Sequence, residues 1–172
     1  MAKYDSKQGS HDKRNRLATR FDPYHTDAGM KEPCVCLGCK SVYQHRSWHL
    51  DPAAYTRLAD SGEASWVQCP ACRKVAERYA EGMLTLQGSY LWDHEQEIRN
   101  ILRNEAERVM QRNPLERIMR LERVGDSLVI ETTEEKLVEH LGKALHRAHR
   151  GTLDIRWDDR KSLCRVTWER QE

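Results

Sequence analysis

Cys36-Leu37-Gly38-Cys39 and Cys69-Pro70-Ala71-Cys72 decide how this chain is read, with residues 40–68 between them. Each C-x-x-C pair turns the backbone so that two thiolates converge on one ion. Two such knuckles complete the tetrahedral, all-sulfur set of a structural zinc fold, with Zn–S about 2.3 Å. Gly38 falls inside the first knuckle, where a backbone tolerant of positive φ is useful. Ser41-Val42-Tyr43 reads as the strand leaving the first pair, and Ser65-Trp66-Val67-Gln68 as the strand entering the second. Between them Asp51-Pro52 reads as N-cap and first helical residue of a short helix ending near Gly62. Residues 34–82 are therefore expected to form a zinc-ribbon module holding one structural Zn2+ on Cys36, Cys39, Cys69 and Cys72. Four thiolates leave no open coordination position, so the ion is not expected to be catalytic. Iron also fits four thiolates.

Other uses of these side chains compete. Cys-Pro-x-Cys alone occurs in thiol-exchange proteins, but there the pair sits in a thioredoxin-like βαβ context. No parallel-strand pattern surrounds it here, and Cys36 and Cys39 would be left unexplained. Cys34 offers a fifth thiol, either as a small apolar neighbour of the site or in place of Cys36. His45 and His49 lie in the intervening loop and are further candidate ligands. Cys164, on the apolar face of the last strand, reads as core.

The chain has 172 residues, 38% hydrophobic and 33% charged. An average globular domain is roughly 45–50% apolar and about 25% charged, so one large core is not expected. No stretch approaches the roughly 20 apolar residues of a membrane-spanning helix. The start of the chain has no apolar secretory h-region, and no lipidation motif is visible. A cytoplasmic, reducing location is expected, where close cysteine pairs read as metal ligands or redox centres rather than structural disulfides. Net charge is +2, which excludes a bulk polycation; any nucleic-acid surface must be local.

Residues 1–33 are polar, carry the basic run Lys13, Arg14, Arg16 and Arg20, and cannot bury enough apolar area to offset their ordering entropy. A disordered basic tail is expected. Residues 83–113 are assigned to a long amphipathic helix, its body running from Ser89 as N-cap to Asn113, with Leu91, Ile98, Leu102 and Val109 on its apolar face. Asn113-Pro114 ends it. Residues 114–172 then change period. Met119 and Leu121, then Leu128 and Ile130, flank the turn signal Gly125-Asp126 and predict a hairpin. Thr132 with Glu135 fits a capping box opening a helix. Its buried stripe is expected on Leu137, Leu141, Ala144, Leu145 and Ala148, with Gly151 as stop. Leu153, Ile155 and Trp157, a turn at Asp158–Lys161, and Cys164, Val166 and Trp168 predict a second hairpin. The class is α+β: a zinc-ribbon module, a long connecting helix, and a small ββαββ antiparallel-sheet domain.

Lys136, His140, Lys143, Arg147 and Arg150 recur at helical spacing on one stripe of the second helix, beside its apolar face. With Arg73 and Lys74 after the second knuckle they are the candidate phosphate contacts. Trp48, next to Arg46 and His49, is the candidate base-stacking aromatic. No glycine-rich phosphate loop, nucleophile elbow or open metal motif is present, so an enzyme is not expected.

Cys69-Pro-Ala-Cys72-Arg-Lys, Gly82-Met-Leu-Thr-Leu-Gln-Gly88, Ile98-Arg-Asn-Ile-Leu-Arg-Asn-Glu105 and Asn113-Pro-Leu-Glu-Arg-Ile-Met119 together resemble a bacterial family of short zinc-ribbon proteins. Gly142–Gly151 and Arg165-Val-Thr-Trp168 fit it too, so the resemblance covers residues 34–170. Cys34 and His149, where an aromatic is expected, depart from it. More distantly, paired knuckles followed by an α/β segment are similar to the N-terminal part of the archaeal and eukaryotic export adaptor of the large ribosomal subunit. That similarity implies contact with ribosomal RNA or protein. The expected function is a non-enzymatic zinc protein that binds RNA or the ribosome. The alternatives are a protein–protein adaptor or regulator, transcriptional or stress-related, and a thiol-redox or metal-sensing protein.

Overall fold

The computed structural model describes Tyr24, residues 30–158 and residues 162–172. The tail expected over residues 1–33 lies outside these except for Tyr24 and residues 30–33, and so does most of the turn at Asp158–Lys161. Tyr24 is buried: its ring lies 5.0 Å from that of Tyr79 and its hydroxyl donates to Glu77.

The first sheet has the order β3-β2-β1-β4. Strand β1 (Cys34–Cys36) pairs antiparallel with β2 (Val42–Gln44) and parallel with β4 (Ser65–Val67), and β2 pairs with β3 (Ser47–His49). The β2–β3 turn places His45 and Arg46 at φ 53° and 61°. The carboxylate of Glu32 accepts both of their backbone N–H groups, at 2.9 and 2.8 Å. Helix α1 (Pro52–Ser61) starts where the sequence places it: Asp51 accepts the Ala54 N–H at 2.9 Å, Pro52 opens the first turn, and Gly62 at φ 70° ends it. Helix α2 (Pro70–Glu77) follows the second knuckle.

The second sheet has five strands in the order β6-β7-β5-β9-β8. The expected hairpins are there: β6 (Ile118–Val124) with β7 (Ser127–Thr132), and β8 (Thr152–Asp158) with β9 (Leu163–Glu169). They do not meet. Strand β5 (Gly82–Gln87) separates them, antiparallel to β7 and parallel to β9. The ββαββ expectation is corrected accordingly: the sheet is mixed, and its central strand comes from the segment assigned to the long helix. Leu84 and Leu86 are buried while Met83, Thr85 and Gln87 are half-exposed, a period of two. Residues 89–112 form two helices, α3 (Ser89–Asp93) and α4 (Glu95–Arg112), broken at His94. Gly88 occupies the N-cap and Ser89 is already helical, so Ser89 does not cap.

Helix α5 (Glu135–His149) lies across β5 and β9 with α4 beside it. The capping box does not form. Thr132 ends β7 and its hydroxyl donates to the Glu134 carbonyl at 2.8 Å, because strand pairing to Gly82 holds it outside the helix. Leu137, Leu141, Ala144 and Leu145 are buried as expected, together with Val138, whereas Ala148 is exposed. Gly142 lets α5 approach the sheet: a Cβ there would meet Val166 Cγ1 at 2.6 Å. Leu84, Leu86, Leu128, Ile130, Val166 and Trp168 join α4 and α5 in one large apolar cluster. Around the first sheet the buried apolar side chains form two smaller clusters. Among the described residues no helix is long and apolar enough to cross a membrane.

Candidate metal centre

Strand β1 delivers Cys36, fully buried, to the edge of the first knuckle. The chain then turns: the Lys40 N–H donates to the Cys36 carbonyl at 3.2 Å, with Lys40 at φ 62°. Gly38 is not at positive φ. Its role is space, because a Cβ there would lie 2.8 Å from Cys72 Sγ. In the second knuckle Cys69 is the N-cap of α2, and its sulfur accepts the Cys72 N–H at 3.4 Å. Pro70 at the first helical position fixes that geometry.

The four sulfurs of Cys36, Cys39, Cys69 and Cys72 all lie within 4.8 Å of one another. Cys36 and Cys72 are 3.7 Å apart, and Cys39 and Cys69 are 3.6 Å apart. A tetrahedron with metal–sulfur bonds of about 2.3 Å has sulfur–sulfur edges of about 3.8 Å, whereas a disulfide requires about 2.05 Å. The cluster fits a single metal ion held by sulfur alone. Hydrogen bonds from Cys39 and Cys69 hold the Cys36 thiol well below its usual range. Hydrogen bonds with Cys36 and Cys39, then burial, push Cys69 up.

Backbone and side-chain donors surround the sulfurs. Gly38 and Cys69 N–H groups point at Cys36 Sγ at 3.4 and 3.3 Å, and the Ser41 hydroxyl lies 3.0 Å from Cys39 Sγ. Arg117, from the loop just before β6, donates through Nη2 to Cys69 Sγ at 3.2 Å and to Cys72 Sγ at 3.4 Å. Sequence reading missed Arg117. It is 45 residues from Cys72, and its only flag was its place inside the Asn113–Met119 run.

The competing ligands are elsewhere. Cys34 Sγ donates to the Lys31 carbonyl at 3.0 Å, and burial, then Glu32, pushes its thiol up. His49 Nε2 is 2.8 Å from the Ser47 hydroxyl. Neither it nor His45 belongs to the cluster.

The candidate phosphate contacts divide. Lys74 is 1% exposed and its ammonium faces Glu81 at 2.9 Å, Glu134 at 2.8 Å and the Thr133 carbonyl at 3.1 Å. It is a buried tie between α2 and the second sheet and is not available to a nucleic acid. Arg73 lies 5.2 Å from the Tyr24 ring centre. His140 is engaged by Glu105 at 2.8 Å, and Lys143 by Glu139 one turn away. Lys136, Arg147 and Arg150 are exposed, with no ion pair among the described residues. Trp48 is buried against Tyr43; the exposed tryptophan is Trp66, at 48%. No family model, curated protein or solved structure matches this chain.

Proposed function

We propose that the chain is a non-enzymatic, cytoplasmic zinc-ribbon protein whose four cysteines hold one structural Zn2+ and whose helix α5 contacts RNA, ribosomal RNA included. The observation that carries the metal half is the convergence of four sulfurs within 4.8 Å, with no further ligand group in the cluster among the described residues. Four thiolates saturate a tetrahedral ion, and a saturated ion organises the fold rather than a substrate. The RNA half is supported by Lys136 and Arg147 on α5 and Arg150 at its C-cap, which offer their charges to solvent. Each phosphate contact they make releases counterions.

Elemental analysis of the purified chain is expected to give one zinc per chain. Cys36→Ser and Cys69→Ser should lose it, whereas Cys34→Ser and Cys164→Ser should keep it. A chain without metal, or retention in Cys69→Ser, removes the reading of the centre. For RNA, Lys136→Glu with Arg147→Glu should weaken binding of a single-stranded oligonucleotide by at least tenfold. It should also lower the salt slope of log K by roughly two. Unchanged binding in a filter assay would take α5 out of the account.

A protein partner is the second reading, favoured by the exposure of Leu37, 67%, in the first knuckle turn and of Trp66, 48%, on β4. Sedimentation with ribosomes from native lysate separates the two. An RNA-driven association is lost with nuclease and with the α5 charge reversals. A protein-driven one survives both and is lost in Trp66→Ala.

A further inference from the structure

Arg117 carries a half-buried cation whose surroundings are unusual. Its Nε is enclosed without a hydrogen-bond partner. Among the described residues no carboxylate pairs with its guanidinium; the side-chain groups it donates to are Cys69 Sγ and Cys72 Sγ. A buried charge is costly unless something of opposite sign faces it. A divalent ion bound by four thiolates has net charge −2, so the loaded centre is itself the counter-ion of Arg117.

The backbone of Arg117 is fastened at a second place. Its N–H donates to the Thr133 hydroxyl at 2.8 Å, and its carbonyl accepts the Thr133 N–H at 2.9 Å. Thr133 is fully buried and joins β7 to α5. Lys74 reaches the same junction from α2, the helix that starts at the second knuckle. The metal-bearing knuckle and the start of α5 are thus two hydrogen-bonded steps apart.

We propose that Arg117 is a positioning residue that couples metal occupancy to the order of the β7–α5 junction, making the start of α5 metal-responsive. The loaded centre supplies fixed, charged sulfur acceptors. Without the ion the sulfurs are no longer held together, and the guanidinium loses the acceptors that keep Arg117 and Thr133 in register. The inference rests on the four-cysteine metal reading and is independent of whether α5 binds RNA.

Amide hydrogen exchange on the full chain, zinc-loaded and after chelation, tests it. Chelation should raise exchange over residues 115–119 and 132–136 by at least tenfold, besides the knuckles, while β5 and β9 stay protected. In Arg117→Met those two segments should already exchange fast in the loaded protein and respond no further to chelation, with one zinc per chain retained. With cobalt(II) in place of zinc, loss of two N–H···S bonds in Arg117→Lys should move the sulfur-to-metal charge-transfer band to lower energy. This readout needs no tolerance of methionine at the site, and mere packing would not move it. A chain that holds no metal overturns the reading of the centre and this inference with it. A loaded chain whose exchange changes only over 34–42 and 67–75 on chelation, or an unmoved cobalt band, overturns the inference alone.

Discussion

Cys164 and His149 show how burial comes first in setting the behaviour of a titratable side chain. Cys164 is fully enclosed, and burial, with smaller contributions from Glu139 and Glu135, pushes its thiol up to about 12. The thiolate is the reactive form. Native, zinc-loaded protein at pH 8 should therefore leave Cys164 and Cys34 unlabelled by iodoacetamide over hours, and denaturation should expose both; mass spectrometry reads the difference. His149 accepts or donates at Nδ1 with the Tyr90 hydroxyl, 3.0 Å away, and its Nε2 is buried without a partner. Burial first, then the neighbouring His94 and Arg170, hold it below its ordinary 6.5, against the opposing pull of Glu97. Below about that pH the unfolded chain binds the proton more readily than the folded one, so stability falls as pH drops through the ordinary value. The melting temperature should decrease between pH 7 and pH 5. His149→Phe, which cannot titrate, should flatten that part of the decrease; an unchanged pH profile would count against the assignment. At this scale the ligand set was legible, because C-x-x-C spacing is a local signal. Arg117 was not, because a donor brought in from a loop 45 residues beyond Cys72 leaves no spacing to read.

Strand β5 and helix α5 carry the lessons at the level of elements. Helix α1 could be read to the residue because capping is local: Asp51, Pro52 and Gly62 each act within one turn. The hairpin at Gly125-Asp126 was legible for the same reason, with Val124 opposite Ser127. Strand β5 was hidden because Met83–Leu86 is a short apolar run adjoining a helical pattern, where periodicity is ambiguous. Its pairing with β9 spans 82 residues and has no local signature. The failed capping box has a like cause, since Thr132 is claimed by the sheet before the helix can use it. The close approach of α5 to the sheet makes Gly142 a sharp test of packing. Gly142→Ala raises helix propensity, yet its methyl would press on Val166 Cγ1. Overpacking costs about 1–3 kcal/mol, more than the roughly 1 kcal/mol gained from propensity. Urea unfolding should show net destabilisation; a stabilised variant would mean that α5 can withdraw from the sheet freely.

Across the whole molecule, the thin apolar content anticipated from composition is met by several devices. One large cluster lies under the second sheet. The first sheet has two small ones and the sulfur cluster. Between the sheets stand polar ties: Arg117 on the sulfurs and Lys74 against Glu81 and Glu134. Lys74→Met removes the ammonium that faces two carboxylates, one of them buried. Breaking a buried pair on one side costs about 3–5 kcal/mol. The thermal transition should therefore drop markedly, and Lys74→Met combined with Glu81→Gln should recover part of the loss. Additive losses would show that the two groups do not interact. The basic residues proved divisible only in three dimensions. Regular spacing placed Lys136, His140, Lys143, Arg147 and Arg150 on one stripe, but carboxylates from α4 and from α5 itself engage His140 and Lys143.

The order β6-β7-β5-β9-β8 has a consequence for synthesis. The cysteine-bearing sheet is complete once residue 72 has been made, since all four strands and both knuckles precede it. The other sheet is different: its middle pair joins Gly82–Gln87 to Cys164–Glu169. On the ribosome the β6–β7 hairpin can form as it emerges, and β5 can join β7. The parallel edge of β5 must wait, unpaired, until residue 169 has left the exit tunnel. Non-local closure of that kind is slow, and the waiting edge is the place where a nascent chain is open to mispairing.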